Sequence, residues 1–175
     1  MVATIDGHAV EIDFLTHVKG VPDDRLQKSA ADLVFQIKTA SGVASLKVPI
    51  MHPFHCLGSR LANVIELGRR DDTAMRQLEA APFVVAEYVE EMLAAGRQAD
   101  ATGTLQALFT YLRSDRNGRR AHIVMTNDPA AIFDRFADDD RLDLRYRQNN
   151  LATMRRQIAA RRTAWGRFTA LFQPK

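Results

Sequence analysis

Met51-His52-Pro53-Phe54-His55-Cys56-Leu57-Gly58-Ser59-Arg60-Leu61-Ala62-Asn63 is the stretch where the chain changes period. Ahead of it, Ala44, Leu46, Val48 and Ile50 recur every second residue, as the apolar face of a half-buried strand does. Behind it, Leu57, Leu61, Val64 and Ile65 recur at helical spacing as far as Gly68. Pro53 suits the first position of a helix, where its missing N–H costs nothing. The stretch therefore closes a β region and opens a helical one, and it fixes an α+β class: a small, mainly antiparallel sheet over residues 2–50, then helices over 53–172.

Upstream, residues 2–15 (VATIDGHAVEIDFL) read as a hairpin. Asp6-Gly7 offers the positive φ angles that a tight type I′ turn needs. Val10, Ile12 and Phe14 then alternate with Glu11, Asp13 and Leu15. A looser segment, Lys19 to Lys28, leads to a second hairpin: Leu33 to Lys38, a turn at Ser41-Gly42, and Val43 to Ile50. Downstream, Asp72 or Thr73 is placed to cap a helix carrying Met75, Leu78, Val85, Val89 and Met92, with Pro82 forcing a kink or a restart. A third helix spans about Thr104 to Arg113 and ends near Asn117-Gly118. Residues 120–126 fit helix or strand, and Pro129 opens a short helix through Ile132, Phe133 and Phe136. The last helix, about Leu144 to Phe172, sets Leu144, Leu151, Met154, Ile158, Trp165, Phe168 and Phe172 on one seam. Residues 1–52 and 53–175 thus form a β region and a helical region of one continuous domain.

No apolar run reaches the roughly 18 residues of a membrane span, and residues 1–8 lack a secretory n-region. Cys56 is the only cysteine, which fits a reducing compartment, so a cytoplasmic location is expected. The net charge of +3 is unevenly spread: residues 141–175 hold nine basic residues and one acid. Such a basic tail can dock on the acidic body, on another chain or on RNA. Arg155, Arg156, Arg161, Arg162 and Arg167 are the candidate RNA contacts and Trp165 a candidate stacking ring. The apolar seam favours the structural role over RNA binding.

Glu11 and Asp13, two apart on a strand, project to one face and could share a divalent cation. The plainer alternative is the wet side of a half-exposed strand. The start of the helix at Pro53 presents free N–H groups suited to a phosphate, with His55, Ser59 and the forked donors of Arg60 as further candidate contacts. His52, His55 and Cys56 do not form a standard zinc spacing. Asp71-Asp72 after Arg69-Arg70 reads as a solvated helix start before it reads as a catalytic cluster.

An apolar-Asp-apolar strand ("VEIDFL"), a second hairpin, and "HPFHCLGSRLAN" opening a helix together resemble bacterial nucleotidyltransferase-like proteins of the DNA polymerase β-type superfamily. The resemblance covers roughly residues 3–95. It implies Mg²⁺ and a nucleoside triphosphate as cofactors of an active form. It places Asp13 as the third catalytic carboxylate and metal ligand, with Glu11 beside it, and Arg60 as the basic residue facing the phosphates, with Ser59 and His55 nearby. Only seven residues precede His8, leaving no room for the family's glycine turn and paired-acid strand. The expectation is a partial or degenerate protein, inactive as this chain alone. The alternative is a non-catalytic interaction module for a partner protein or RNA, and a free sheet edge makes a homodimer a further expectation.

Overall fold

A computed structural model describes residues 2–5, 8–11, 17–39 and 42–170; the side chains of residues 2–11, 27, 31–33, 39 and 164–170 also lie outside the description. The α+β order holds. β1 (Val2–Ile5) pairs antiparallel with β2 (His8–Glu11), and β3 (Ala31–Thr39) with β4 (Gly42–Ile50). The two hairpins are separate two-stranded sheets. Ile5 faces His8 and Thr39 faces Gly42, so each connection has the two-residue length that favours tight hairpins. Gly42, expected in the turn with Ser41, is the first residue of β4, and Ser41 lies outside the described residues.

The segment expected to be loose contains a short helix, α1 (Asp23–Lys28). Ahead of it Gly20 has φ +80°, and a Cβ there would stand 2.6 Å from Ala62 Cβ. Only glycine combines that backbone with so close an approach to the helix that carries Gly58 and Ala62.

α2 (Pro53–Ile65) starts at the expected proline, and its inner face buries Leu57, Leu61 and Val64. The next helix, α3 (Asp72–Ala94), is capped by Asp71, one residue earlier than expected; its Oδ1 accepts the Ala74 N–H at 2.9 Å. α3 runs through Pro82 without a restart. Leu78, Val85 and Val89 are all buried against the core, and that packing on both sides offsets one missing backbone bond. α4 (Gln98–Ser114) begins a turn and a half earlier than the sequence indicated and buries Leu105, Leu108 and Leu112.

The ambiguous stretch is helical: a 3₁₀ turn over Gly118–Arg120, then α5 (Ala121–Val124). α6 (Ala131–Arg135) follows, with Ile132, Phe133 and Phe136 buried. A π-helical turn (Tyr146–Leu151) leads into α7 (Ala152–Ala170). Leu151, Met154 and Ile158 join the core, but Leu144 is 56% exposed. The wide π turn advances the helix phase, so a residue before it leaves the seam that follows it. Trp165 and Phe168 lie outside the described side chains, and Phe172 outside the described residues.

One apolar cluster spans α2 to α7, from Leu57 to Ile158. Among residues before Pro53 with described side chains, Val21 alone is buried. Long-range polar contacts tie the helices together. The Glu79 carboxylate accepts the N–H groups of Thr126 and Asn127 at 2.7 and 2.8 Å. Arg141 is clasped by Glu90 and Asp139. No helix among the described residues is long and apolar enough to cross a membrane.

Candidate functional site

The head of α2 is an aromatic and imidazole cluster. His52 is the N-cap, and its Nδ1 accepts the Phe54 N–H at 3.2 Å. Its ring meets Tyr88 of α3 edge-on at 4.5 Å and lies 6.1 Å from His55. Phe54 meets Tyr111 of α4 edge-on at 5.7 Å. Burial, reinforced by His55 and partly countered by Asp100, holds the His52 imidazole below its usual pKa. Burial and the Arg25 guanidinium do the same to His55. Both rings are therefore neutral at pH 7, so His55 can offer a phosphate a hydrogen bond but no charge.

This arrangement makes stability pH-dependent. The folded-state pKa values of both histidines lie below the ordinary value of 6.5. Their contribution is therefore complete above about 6.5 and is lost as pH falls through that value toward the lower folded-state pKa. Protonation of His52 Nδ1 also removes the acceptor that caps Phe54. The melting temperature should fall between pH 7 and pH 5, and His52→Asn, which keeps a capping side chain without titrating, should flatten that slope. An unchanged slope in the variant would remove His52 from this role.

The other expected phosphate contacts do not gather here. Ser59 is 7% exposed, on the inner face of α2. Arg60 lies more than a turn beyond His55 and faces a cavity of about 150 Å³ with Asn63, Arg69, Asp71, Thr73 and Gln77. Pockets that hold drug-sized ligands run to roughly 300 Å³ and more. The cavity thus has room for a phosphate-sized group between Arg60 and Arg69, and Asp71 offsets part of their charge. Sequence reasoning missed Arg69 in this role. Its nearness in the chain to Asp71 was the available signal, but only the fold of the α2–α3 corner brings it to Arg60.

Glu11 is the last residue of β2, opposite Val2, and its side chain is outside the description. Asp13 lies outside the described residues altogether. Among the described residues no group of three or more His, Cys, Asp or Glu is placed to hold a metal ion.

A larger groove, about 740 Å³, runs between α6 and α7. Arg162 reaches across it with both terminal nitrogens to Asp128, one of them 2.8 Å from Oδ1. Arg155 pairs with Asp134, and Arg156 donates to Thr153 Oγ1 at 3.1 Å. Burial alone would raise the Asp128 carboxyl, but hydrogen bonds from Arg162 and the Ala130 N–H hold it below the usual range. Two of the arginines proposed for RNA are thus engaged with acids of the body. Arg161 is exposed, and the side chain of Arg167 lies outside the description.

Comparison of the chain with protein-family models, with curated proteins and with solved structures yields no match.

Proposed function

We propose that this chain is a nucleotidyltransferase-like protein of the DNA polymerase β type that does not transfer nucleotide as this chain alone. The observation that carries the reading is the order of elements. A hairpin carries Glu11 at the end of β2, just ahead of Asp13; a second hairpin follows; then α2 opens at Pro53 and turns Arg60 toward a small polar cavity. Two-metal phosphoryl transfer needs a full set of carboxylates to hold Mg²⁺ and activate the acceptor. This chain contributes Glu11 and Asp13 to such a set.

Incubated with Mg²⁺ and each α-labelled nucleoside triphosphate, the chain should label neither itself nor bulk RNA. Robust labelling abolished by Asp13→Asn would show that Glu11 and Asp13 suffice. In calorimetry with triphosphate, Arg60→Ala should weaken a weak interaction by about tenfold, the loss of one charge-assisted contact. No heat with the unmodified chain would remove Arg60 as a phosphate ligand.

A second reading, a non-catalytic interaction module, is favoured by one specific observation. Phe35, Ile37, Leu46 and Ile50 on the β3–β4 ribbon are 40–47% exposed and lie outside the buried cluster of the helices. With Arg155 and Arg162 already paired, a protein partner fits this module better than RNA.

A further inference from the structure

The β3–β4 ribbon has one apolar face, one mixed face on which Val34 and Val43 stand among polar residues, and two unequal edges. The register sets Phe35 against Leu46 and Ile37 against Ala44 on the first face, and Val34 against Lys47, Gln36 against Ser45 and Lys38 against Val43 on the second. Thr39 faces Gly42 across a two-residue connection, so that pair is hydrogen-bonded and the bonding alternates from there. The backbone groups of Asp32, Val34, Gln36 and Lys38 then point to the outer edge of β3. Those of Val43, Ser45, Lys47 and Pro49 point to the outer edge of β4. Pro49 has no N–H to donate, so the β4 edge is blunted. The β3 edge keeps every donor, and no further strand pairs with it among the described residues.

We infer that the β3 edge is a self-pairing surface whose partner is β3 of a second copy, running antiparallel about a twofold axis at Phe35. This deepens the interaction-module reading by naming the partner, and it is independent of any nucleotide chemistry. An antiparallel ladder joins outward-pointing residues to outward-pointing residues. Centring on Phe35 satisfies that rule and is the one register that uses β3 from Ala31 to Thr39 without overhang. It forms about eight backbone hydrogen bonds. It sets Lys38 opposite Asp32 of the second copy, and by symmetry Asp32 opposite Lys38 of the second copy. Opposite charges directly across a ladder are favourable, and like charges are not. Phe35 meets Phe35 of the second copy at the axis, where aromatic cross-strand pairs add stability. The product is a four-stranded sheet, β4-β3-β3-β4, with the apolar residues of both copies on one face. Edge pairing buries less than the roughly 800 Å² per partner of a standard interface, so affinity in the micromolar range is expected.

Sedimentation velocity of the full chain over a wide concentration range tests this. The unmodified chain should pass from monomer to dimer. Gln36→Pro removes an outward donor at the centre of the ladder and should leave a monomer, whereas Ser45→Pro on the unused β4 edge should still dimerise. Lys38→Asp alone and Asp32→Lys alone each place two like-charged pairs across the axis and should each weaken dimerisation about tenfold. Mixing these two variants restores opposite charges at both positions and should recover a heterodimer, a result that loss of folding in either variant cannot imitate. A chain that is monomeric throughout, a Gln36→Pro dimer as stable as the original, or no recovery on mixing would overturn the inference. A monomer that binds a dye for apolar surfaces, with binding lost in Phe35→Ser, would overturn self-pairing while leaving the interaction-module reading in place.

Discussion

Gly118→Ala should destabilise the protein by about 3 kcal/mol, near the upper end of what overpacking costs. Gly118 is buried in the turn after α4, where its N–H donates to Asp115 Oδ1 at 3.1 Å. A Cβ there would stand 2.2 Å from the Tyr111 carbonyl oxygen and 2.9 Å from its ring Cδ1. The carbonyl belongs to the last turns of α4 and cannot move without breaking the helix end, so the turn itself has to shift. That shift would also strain Asn117, whose side chain donates to Glu66 Oε1 at 2.7 Å. Gly103 on α4 is the control: nothing lies within 4 Å of its Cβ position. There alanine should stabilise by about 0.5–1 kcal/mol, because it lowers the entropy of the unfolded chain in a helical position. Chemical denaturation of both variants checks the pair. A Gly118→Ala loss below that of an ordinary surface change would mean that the turn packs differently.

Ile158→Ala should cost about 3 kcal/mol, the usual range for emptying a core site of this size. Ile158 is 3% exposed on α7, with Met154 and Leu151 beside it in the same cluster. Charge reversals on the same helix should behave unequally. Arg155→Glu and Arg156→Glu should each cost within about 0.5 kcal/mol, since exposed pairs contribute little. Arg162→Glu should cost about 1–2 kcal/mol: its side chain is 22% exposed and that of Asp128 34%, so solvent relieves part of the penalty for a broken buried pair. If α7 instead existed to bind RNA, all three reversals would abolish a steeply salt-dependent interaction and hardly move the melting curve. Thermal denaturation together with RNA titration at two salt concentrations separates these outcomes.

The elements that the sequence made legible are those whose signal is local. Pro53 and the change of period around it located the start of α2, which ends at Ile65, short of the expected Gly68, and the alternation from Ala44 to Ile50 located β4. Leu151, Met154 and Ile158 were correctly placed on one seam. The failures came where a distant contact decided the outcome. Pro82 signals an interruption, yet core packing on both sides carries α3 through it. Leu144 fits the heptad only if the helix keeps one pitch, and the π turn over Tyr146–Leu151 breaks that assumption. At the candidate site the sequence grouped Ser59, Arg60 and His55 because they are close in the chain. His55 and Ser59 lie one turn apart on the same side of α2, but Ser59 is buried deeper along it, and Arg60, one residue on, turns to the Arg69 cavity. Tyr88 and Tyr111 come to the head of α2 through tertiary packing alone, which no local pattern announces.

No described side chain of the β3–β4 ribbon belongs to the cluster that runs from Leu57 to Ile158. A mutation that turned Phe35 or Leu46 polar would leave that cluster whole, and the chain would fold as before. Such positions drift freely over generations unless something other than folding holds them. An apolar face that the body does not need is a standing liability in a crowded cell, where it invites aggregation. Its persistence in any lineage would record a contact that the lineage could not do without.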